Sequence, residues 1–389
     1  MALNVLHITG WYPNHLKPFE TPFIQRHVDA LAPHVRNTVW HIDVRHGRRW
    51  SMIRRNLAAD RTYILTTPMQ RWRVLEWLAT VLILWAWSTR DRSTRFDAVN
   101  FHIAYPNCTH IGVLQRIMGL PLLITEHWSI YRLGFNSGAK GLDRIRNIFH
   151  RGLPLIVVSK ALAGDILRFA GPPEPPVHIV PNAISTAVFR PLAGVVPEEG
   201  RFFAIATWRH PKQPLVMIAA IAELRMAGLP VRLRIAGGGA DIPAMQAEIE
   251  RLGLMGVVEL MGQATPEQAA AEMRAAHALL HVSDYETYSA VCAEALCCGT
   301  PVFASRVGGI PEYLTPDMGV LVDTNVVYDW ANALRNEWDR TWRMDRAAIS
   351  ARMTEQANNL KVGALYAEVI TSTVARAQQA TVAKAIRPT

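Results

Sequence analysis

Two glutamates are the residues of this chain best suited to bind a polar ligand. Glu286 and Glu294, eight positions apart, lie in the segment ETYSAVCAEALCCGTPVFASRVGGIPE. Ser289 or Thr287 is placed to cap a helix that begins between them, with Glu294 in its second turn. Free N–H groups at a helix start attract phosphate, whereas nearby carboxylates accept hydrogen bonds from sugar hydroxyls. The pattern therefore predicts a nucleotide-sugar site.

The whole segment resembles the signature of retaining glycosyltransferases of family 4, the glycosyl transferases group 1. Its pattern is Glu, seven residues, Glu-Ala, then Gly-x-Pro-Val and Gly-Gly-x-Pro-Glu. The matching residues are Glu286, Glu294, Ala295, Gly299, Pro301, Val302, Gly308, Gly309, Pro311 and Glu312. The resemblance covers most of the chain and implies an α/β protein of GT-B fold, with two Rossmann-like domains facing across a cleft.

This resemblance also assigns roles around the two glutamates. It makes Glu286 a catalytic residue at the donor sugar and places Glu294 at the ribose of the nucleotide. Tyr288 and Ser289 complete the expected donor site. A bare pair of glutamates at this spacing would more often be a solvated helix face. The assignment therefore depends on the full string of matching residues.

Two cations follow a predicted strand in the second half. Arg209 and Lys212 lie in the loop ATWRHPK, after the strand Phe202 to Ala206. Cations at this place can neutralise a departing diphosphate. The family has an Arg and a Lys in the same loop, so we expect both residues to act in catalysis. The alternative is a solvated basic turn, because exposed Arg and Lys are common.

Glycines follow two further predicted strands. Gly237 and Gly238 come directly after the strand Val231 to Ala236, and Gly262 ends the strand that starts at Val258. Glycine permits close approach of a ligand to the backbone. In the resembled family these turns lie beside the nucleotide. A dehydrogenase would instead carry its glycine fingerprint after the first strand of a βαβ unit.

The first half carries a second set of motifs at predicted strand ends. His127 follows the strand Leu122 to Thr125 and matches the family histidine that approaches the donor sugar. A lone histidine is otherwise more often a structural hydrogen-bonding residue. Thr21 takes the place of a glycine that faces the donor phosphates in the family, and Asn182 is expected in a turn between the domains.

Length and composition predict a folded, two-domain protein. The chain has 389 residues, half of them hydrophobic, and strand and helix patterns alternate along it. We expect an acceptor domain over residues 1–188, a donor domain over 189–361 and a C-terminal helix over 362–389 that crosses back to the first domain. The four cysteines show no metal-ligand spacing, and we expect them to be reduced and buried. The N-terminus lacks the features of a signal peptide, which favours a cytoplasmic protein.

The excess of positive over negative charge is confined to the first half of the chain. Residues 1–190 contain 23 Lys and Arg against 11 Asp and Glu, whereas residues 191–389 contain 18 against 21. Arginines flank the uncharged run Trp77 to Trp87, whose 11 residues are too few to span a bilayer. The run is either a helix at an anionic membrane interface or a buried helix of the first sheet. No nucleic-acid recognition motif accompanies this charge.

Together these patterns favour a retaining, metal-independent glycosyltransferase of the hexosyltransferase class. The expected donor is a UDP-sugar or a GDP-sugar, with no further cofactor. The expected acceptor is a lipid-linked or glycan hydroxyl in cell-envelope glycan biosynthesis, at the inner face of the plasma membrane. Two alternatives are another GT-B nucleotide-sugar enzyme, such as an epimerase or a phosphorylase, and a non-catalytic membrane-bound scaffold.

Overall fold

The computed structural model describes residues 2–13, 22–57, 60–135 and 139–386. Thr21 lies outside them. The chain divides into two compact units, the first formed by Met1–Ala183 with Asn359–Thr389 and the second by Ile184–Asn358. The second unit is thus inserted into the first.

The first unit is built on one sheet with helices between its strands. Its sheet order is β3-β4-β2-β1-β5-β6-β7-β8, and every pairing is parallel except that of β3 with β4. The central strands are almost fully buried, which is typical of parallel strands covered on both faces. In chain order the elements are β1 (Asn4–Thr9), α1 (Pro22–Leu31), β2 (Arg36–His46), β3 (Ser51–Leu57), β4 (Asp60–Thr67), α2 (Trp72–Ser88), β5 (Ala98–His102), α3 (Ile111–Met118), β6 (Leu122–Glu126), α4 (Ile130–Leu133), α5 (Ala139–Phe149), β7 (Leu155–Val157), α6 (Lys160–Ala170) and β8 (Val177–Ile179).

The second unit is a doubly wound α/β domain. Its parallel sheet has the order β11-β10-β9-β12-β13-β14, which is the order 3-2-1-4-5-6 of the Rossmann fold. The order reverses between β9 and β12, and ligands of such sheets bind at that reversal, beyond the carboxyl ends of the strands. In chain order the elements are β9 (Arg201–Ile205), α7 (Pro214–Met226), β10 (Arg232–Ala236), α8 (Ile242–Arg251), β11 (Val258–Gly262), α9 (Pro266–Ala275), β12 (Ala278–His281), α10 (Ala290–Cys297), β13 (Val302–Ser305), a 3-10 turn (Ile310–Glu312), β14 (Gly319–Val322), α11 (Val327–Asn336), α12 (Trp338–Trp342) and α13 (Arg346–Ala357).

The last helix, α14 (Asn359–Ile386), belongs to the first unit. It is longer than the apolar stretch Val362 to Val374 because its helix continues into polar residues. Its buried face packs with α1 and the first sheet through Val362, Tyr366 and Ile370. Close approach to α1 requires a glycine, since a Cβ on Gly363 would lie 1.9 Å from the carbonyl oxygen of Ala30.

The boundary between the units falls before Ile184, a few residues before the sequence-based boundary at 188. Residues 184–190 attach to the second unit by backbone contacts. The amide of Ile184 donates to the carbonyl of Ala357 at 2.9 Å, and Arg274 donates to the carbonyls of Val188 and Arg190 at 3.3 and 3.2 Å. An anchored linker of this kind cannot be located from Pro and Gly content alone.

The tryptophan-ended run lies within α2, which has two different faces. Its inner face, which includes Leu82, Ile83 and Trp87, is buried. Its outer face exposes Trp77, Val81 and Trp85. The interpretation as a buried helix of the first sheet is therefore confirmed for the inner face, and the interfacial interpretation stays a prediction that concerns the outer face. Within the described residues, no helix combines the length and apolar character that crossing a membrane requires.

The four cysteines are unbridged and buried, in agreement with the sequence. Cys108 lies in the first unit, and Cys292, Cys297 and Cys298 lie in or next to α10. Burial raises the pKa of the thiols of Cys292, Cys297 and Cys298 to about 12. They therefore act as small apolar core side chains.

Candidate functional site

Two loops meet where the strand order of the second sheet reverses. One follows β9 and the other follows β12. The amide of Gln213 donates to the carbonyl of Val282 at 3.0 Å, and the amide of Asp284 donates to the carbonyl of Pro211 at 2.8 Å. These backbone hydrogen bonds hold the side chains of the two loops in a fixed relation.

Glu286 is the centre of a charged cluster in these loops. Its Oε1 accepts a hydrogen bond from Nζ of Lys212 and lies 2.7 Å from Nε2 of His281. The Oγ of Ser289 lies 3.2 Å from the same histidine nitrogen. The side chains of Lys212 and Glu286 are 18% and 11% exposed. The cluster is therefore largely shielded from water, which strengthens its electrostatic interactions.

The cluster fixes the charge of Glu286. Burial by itself would raise the pKa of this carboxyl, but the positive charges of Lys212 and His281 outweigh burial and lower it to about 2. Glu286 is therefore an anion at neutral pH. A carboxylate with so low a pKa is a good hydrogen-bond acceptor and a poor base.

Ser289 is the N-cap residue of α10, but the predicted capping by its side chain is wrong. Its backbone is left-handed, with φ +65°, whereas a capping residue usually has an extended backbone. Its Oγ donates instead to Sγ of Cys292 at 3.2 Å. The carbonyls of Ser289 and Tyr288 both accept from the hydroxyl of Tyr313, each at 3.0 Å. The loop is thus held in a strained conformation by its neighbours.

Glu294 lies in the second turn of α10, as the spacing predicts. Its side chain is buried. The start of α10 is close to the loop that carries Glu286, because only the residues from 287 to 289 separate them. The structure thus brings the loop of Glu286 and the helix of Glu294 to one edge of the sheet.

Two motif glycines hold the backbone of Glu286. The amide of Gly309 donates to the carbonyl of Glu286 at 3.1 Å. A Cβ on Gly308 would lie 1.5 Å from that same carbonyl oxygen, and Gly308 has φ +52°. These glycines of the signature therefore have a structural reason, which is to let the loop after β13 pack directly on the residue that carries the carboxylate.

The glycine turn after β10 is locked to the loop after β9. The amide of Trp208 donates to the carbonyl of Gly238 at 2.9 Å, and the amide of Gly237 donates to the carbonyl of Gly262 at 2.7 Å. Gly237 has φ +105°, and a Cβ there would lie 1.9 Å from the carbonyl oxygen of Ala206. The turn therefore needs glycine for packing, and it sits at the same edge of the sheet as Glu286.

The two cations of the loop after β9 have side chains in different surroundings. The amide of Lys212 donates to the carbonyl of Arg209 at 3.0 Å, so both belong to one tight turn. The side chain of Lys212 is directed to Glu286, whereas Arg209 is exposed. Lys212 is thus part of the charged cluster, and Arg209 is available at its outer side.

Sequence reasoning missed His281. It is the last residue of β12, five residues before Glu286, and it is buried. The available signal was a polar residue at the end of a buried apolar strand. The contact with Glu286 depends on how the intervening loop turns back, which the sequence pattern does not specify.

His127 lies in the first unit, directly after β6, in a cluster of buried aromatic rings. The centroids of the Phe23, His27 and His102 rings lie 4.8, 5.0 and 6.1 Å from that of His127. Burial, followed by the charge of His27, lowers the pKa of His127 well below its usual range. The ring is therefore neutral at physiological pH.

Further histidines and polar groups extend this cluster into the core of the first unit. His7 Nδ1 lies 3.1 Å from His102 Nε2, and the amide of Asn100 donates to the hydroxyl of Tyr366 at 2.6 Å. Burial lowers the pKa of His7 and of His27 to about 4. Among the residues that the structure describes, no group of three or more His, Cys, Asp or Glu is arranged to hold a metal ion.

A family model matches most of the second half of the chain. Residues 193–348 match the model described as glycosyl transferases group 1. The matched segment contains the charged cluster, both motif glutamates and the glycine turns.

Curated relatives match over a longer part of the chain. The MMP alpha-(1->4)-mannosyltransferase of Mycolicibacterium hassiacum is 31% identical over 236 residues, 56% of this chain and 56% of that protein. The D-inositol 3-phosphate glycosyltransferase of Paenarthrobacter aurescens is 26% identical over 295 residues, 70% and 72% of the two chains. The match to the first relative thus spans little more than half of its length.

Solved structures share the fold over almost the whole chain. Sucrose-phosphate synthase from Thermosynechococcus elongatus superposes with a TM-score of 0.74 at 19% identity, covering 95% of this chain and all of that one. Anabaena HepE in complex with UDP-glucose gives 0.72 at 17% identity, with 95% and 100% coverage. The chain therefore has the GT-B fold of two Rossmann-like units, and its residues 193–348 are similar to the glycosyl transferases group 1.

Proposed function

We propose that this protein transfers a sugar from a nucleoside diphosphate sugar to a hydroxyl acceptor, with retention of configuration at the transferred carbon. The observation that carries the proposal is the cluster of Lys212, His281 and Glu286 at the reversal of the second sheet. A lysine, a histidine and an anionic carboxylate lie there together, beside a glycine turn and a helix start. This is the chemistry that a diphosphate and a sugar require.

Similar proteins support a nucleotide-sugar donor. HepE of the same fold is described in complex with UDP and with UDP-glucose. Relatives in sequence are named as a mannosyltransferase and as D-inositol 3-phosphate glycosyltransferases. The donor proposed for this chain is a UDP-sugar or a GDP-sugar.

The roles proposed for the individual residues are those that the family resemblance gives them. Glu286 accepts hydrogen bonds from hydroxyls of the donor sugar, and Glu294 accepts from the ribose. The backbone of Gly237, Gly238 and Gly262 allows the nucleotide to approach the sheet edge closely. For His127, whose ring is neutral in a buried cluster of the first unit, a role at the donor sugar rests on the family resemblance alone.

The transfer step balances without a protein base. The bond between the anomeric carbon and the β-phosphate oxygen breaks, and the acceptor oxygen forms its bond on the same face. The acceptor proton passes to the departing phosphate, so the products are the glycosylated acceptor and a nucleoside diphosphate. Arg209 and Lys212 stabilise the negative charge that develops on the diphosphate, in the role that a metal ion has in other transferases. Glu286, with its pKa near 2, is too weak a base to take the proton.

The acceptor proposed is a lipid-linked or glycan hydroxyl of cell-envelope biosynthesis, used at the inner face of the plasma membrane. Its support is the strongly basic first unit, which attracts anionic acceptors and surfaces.

The test is product analysis with a panel of donors. The protein is incubated with UDP-glucose, UDP-N-acetylglucosamine, UDP-galactose or GDP-mannose, with and without a lipid extract. Acceptor-dependent release of UDP or GDP is expected, and Glu286→Gln abolishes it while Glu355→Gln, at an exposed position, does not. Donor conversion without nucleotide release would indicate an epimerase, and a need for inorganic phosphate would indicate a phosphorylase.

Nucleotide binding tests the alternative of a non-catalytic scaffold. At about 100 times its dissociation constant, a ligand stabilises a protein by roughly 2.7 kcal/mol. UDP or GDP is therefore expected to raise the melting temperature by several degrees. Absence of any shift with every nucleotide would favour a non-catalytic scaffold.

A further inference from the structure

The outer face of α2 is an apolar surface on an otherwise charged unit. It exposes Trp77 by 57%, Val81 by 38% and Trp85 by 36%, at a spacing of four residues. Residues four apart lie on one side of a helix. The inner face of the same helix is buried, so these side chains are held outward by packing on their opposite side.

Arginines surround this apolar row. Residues 45–95 contain eleven arginines and three acidic residues, which accounts for almost the whole excess charge of the chain. Arg71 and Arg73 lie at the start of α2 and are exposed. Near its end, the guanidinium of Arg54 lies over the Trp85 ring at 5.6 Å. The apolar row and the cations thus form one surface.

The edge strand β3 continues this surface. Arg54 pairs in the ladder with Tyr63, whose ring lies 5.8 Å from that of Trp85. Met52 shares the strand face of Arg54, because side chains alternate along a strand, and it is exposed together with the neighbouring Trp50. We call the outer face of α2 with Trp50, Met52 and Arg54 the α2 surface.

We propose that the α2 surface binds an anionic lipid bilayer. Tryptophan is favoured at the interface between headgroups and acyl chains, and arginine attracts anionic headgroups. An uncharged apolar row with cations at its ends is the pattern of a helix that lies in the plane of that interface. Because α2 is already packed on the sheet, binding needs no folding of the helix.

The arginines and the apolar row of the α2 surface argue against two other occupants, a second copy of the chain and a nucleic acid. A second copy of the chain would bring the same arginines together in a symmetric contact, which like charges disfavour. Pairing through the free edge of β3 is opposed by Arg54 and Arg55, since charged side chains protect edge strands. A nucleic acid would meet the arginines but would leave the apolar row in water.

The test is sedimentation with vesicles of neutral phosphatidylcholine, or of phosphatidylcholine with about a third phosphatidylglycerol. Binding to the anionic vesicles is expected to exceed binding to the neutral ones. Added salt weakens it, because surface charges are screened. Each arginine near an anionic surface contributes roughly fivefold to the partition coefficient. Arg71→Gln with Arg73→Gln is thus expected to lower it about 25-fold, whereas Arg225→Gln with Arg343→Gln, an exposed pair in the second unit, leaves it unchanged.

A second variant tests the apolar row. Trp77→Ser with Val81→Ser is expected to lower the partition coefficient at least tenfold, with the melting temperature and donor binding unchanged. Met226→Ser, an exposed apolar residue of the second unit, is the control. Equal binding to both vesicle types, or to neither, overturns the proposal. So does a wild-type dimer in solution that Trp77→Ser with Val81→Ser converts to a monomer. Neither readout depends on the proposed catalytic activity.

Discussion

His281 Nε2 and Lys212 Nζ share a single acceptor, the Oε1 of Glu286, with His281 at 2.7 Å. Lys212 lies in the loop after β9, whereas His281 is the last residue of β12 and Glu286 lies in the loop that follows it. One carboxylate oxygen therefore joins the loop after β9 to the loop after β12. A donor sugar bound at Glu286 would meet a site whose charge is already set.

The two glutamates are predicted to fail in different ways. Glu286→Ala is expected to lower turnover, because the donor sugar loses its acceptor, and Glu294→Ala is expected to weaken nucleotide binding. Loss of a hydrogen bond to a charged group costs on the order of 1.5–3 kcal/mol. Steady-state kinetics and calorimetric titration with UDP and GDP separate these effects. Wild-type turnover and affinity in both variants would contradict the site.

His281 is predicted to control the acid limit of activity. Burial raises the pKa of Glu286, whereas Lys212 and His281 lower it to about 2. A depressed carboxyl pKa keeps the anion, and its stabilising contacts, until the pH falls from about 4 toward 2. His281→Asn raises that pKa, so turnover is expected to decline at a higher pH than in the wild type. The pH profile of kcat, taken from pH 7 down to the lowest pH at which circular dichroism shows a folded protein, measures this shift, with the exposed His210→Asn as control. Identical profiles for His281→Asn and the wild type would show that the contact does not set the charge.

The loop cations are predicted to replace a metal ion. Transfer should continue in EDTA. Arg209→Ala is expected to reduce kcat about a hundredfold, as loss of one group that stabilises transition-state charge commonly does. Because Arg209 is exposed, the melting temperature of the Arg209→Ala variant should stay within about a degree of that of the wild type. Arg225→Ala is the control, and a strict requirement for added divalent metal would contradict the mechanism.

Two glycines of the candidate site, Gly237 and Gly262, are predicted to differ in how much their substitution by alanine destabilises the protein. Gly237→Ala combines a left-handed backbone with a Cβ 1.9 Å from the carbonyl oxygen of Ala206. Strain and overpacking together cost roughly 3–5 kcal/mol. Gly262→Ala also has a left-handed backbone, with φ +74°, but no atom within 4 Å of the new Cβ, so about 1–2 kcal/mol is expected. Urea unfolding compares the two, and equal losses would show that the close contact is easily relieved.

The buried histidines are predicted to make the first unit acid-sensitive. Burial lowers the pKa of His7 and His27 to about 4, and it lowers the pKa of His102 and His127 well below the usual range. Their stabilising effect is complete above the unfolded pKa of about 6.5 and is lost as the pH falls from there toward 4, because only the unfolded chain binds the protons. Each histidine then removes about 1.4 kcal/mol per pH unit.

Urea unfolding midpoints at pH 7.5, 6.5 and 5.5 measure this dependence. A plot of the free energy of unfolding against pH has a slope below pH 6.5, and His27→Gln is expected to lower that slope by the contribution of one histidine, about 1.4 kcal/mol per pH unit. His34→Gln, at an exposed position of the same unit, leaves the slope unchanged. A midpoint that is constant from pH 7.5 to 5.5 would contradict the prediction.

The strands and the main site residues could be predicted because their patterns are local. β1 and β6 are buried on both faces, so apolar runs reveal them, and the spacing of Glu286 and Glu294 depends on one loop and one helix. Three features could not be read in this way. The contact of His281 with Glu286 depends on loop conformation. The left-handed backbone of Ser289 is held by tertiary contacts such as those of Tyr313. The inner and outer faces of α2 are both mainly apolar over Trp77 to Trp87, so composition does not distinguish them.

The insertion of the second unit into the first has a consequence for biosynthesis. Tyr366 of α14 reaches the core of the first unit, where its hydroxyl contacts Asn100 and Thr125. Until the ribosome has made α14, those two polar groups lack this partner and the apolar face of α1 is uncovered. The unit whose strands emerge first is therefore the last to be completed. The nascent chain must keep an unfinished sheet from aggregating during the time needed to synthesise residues 184–358.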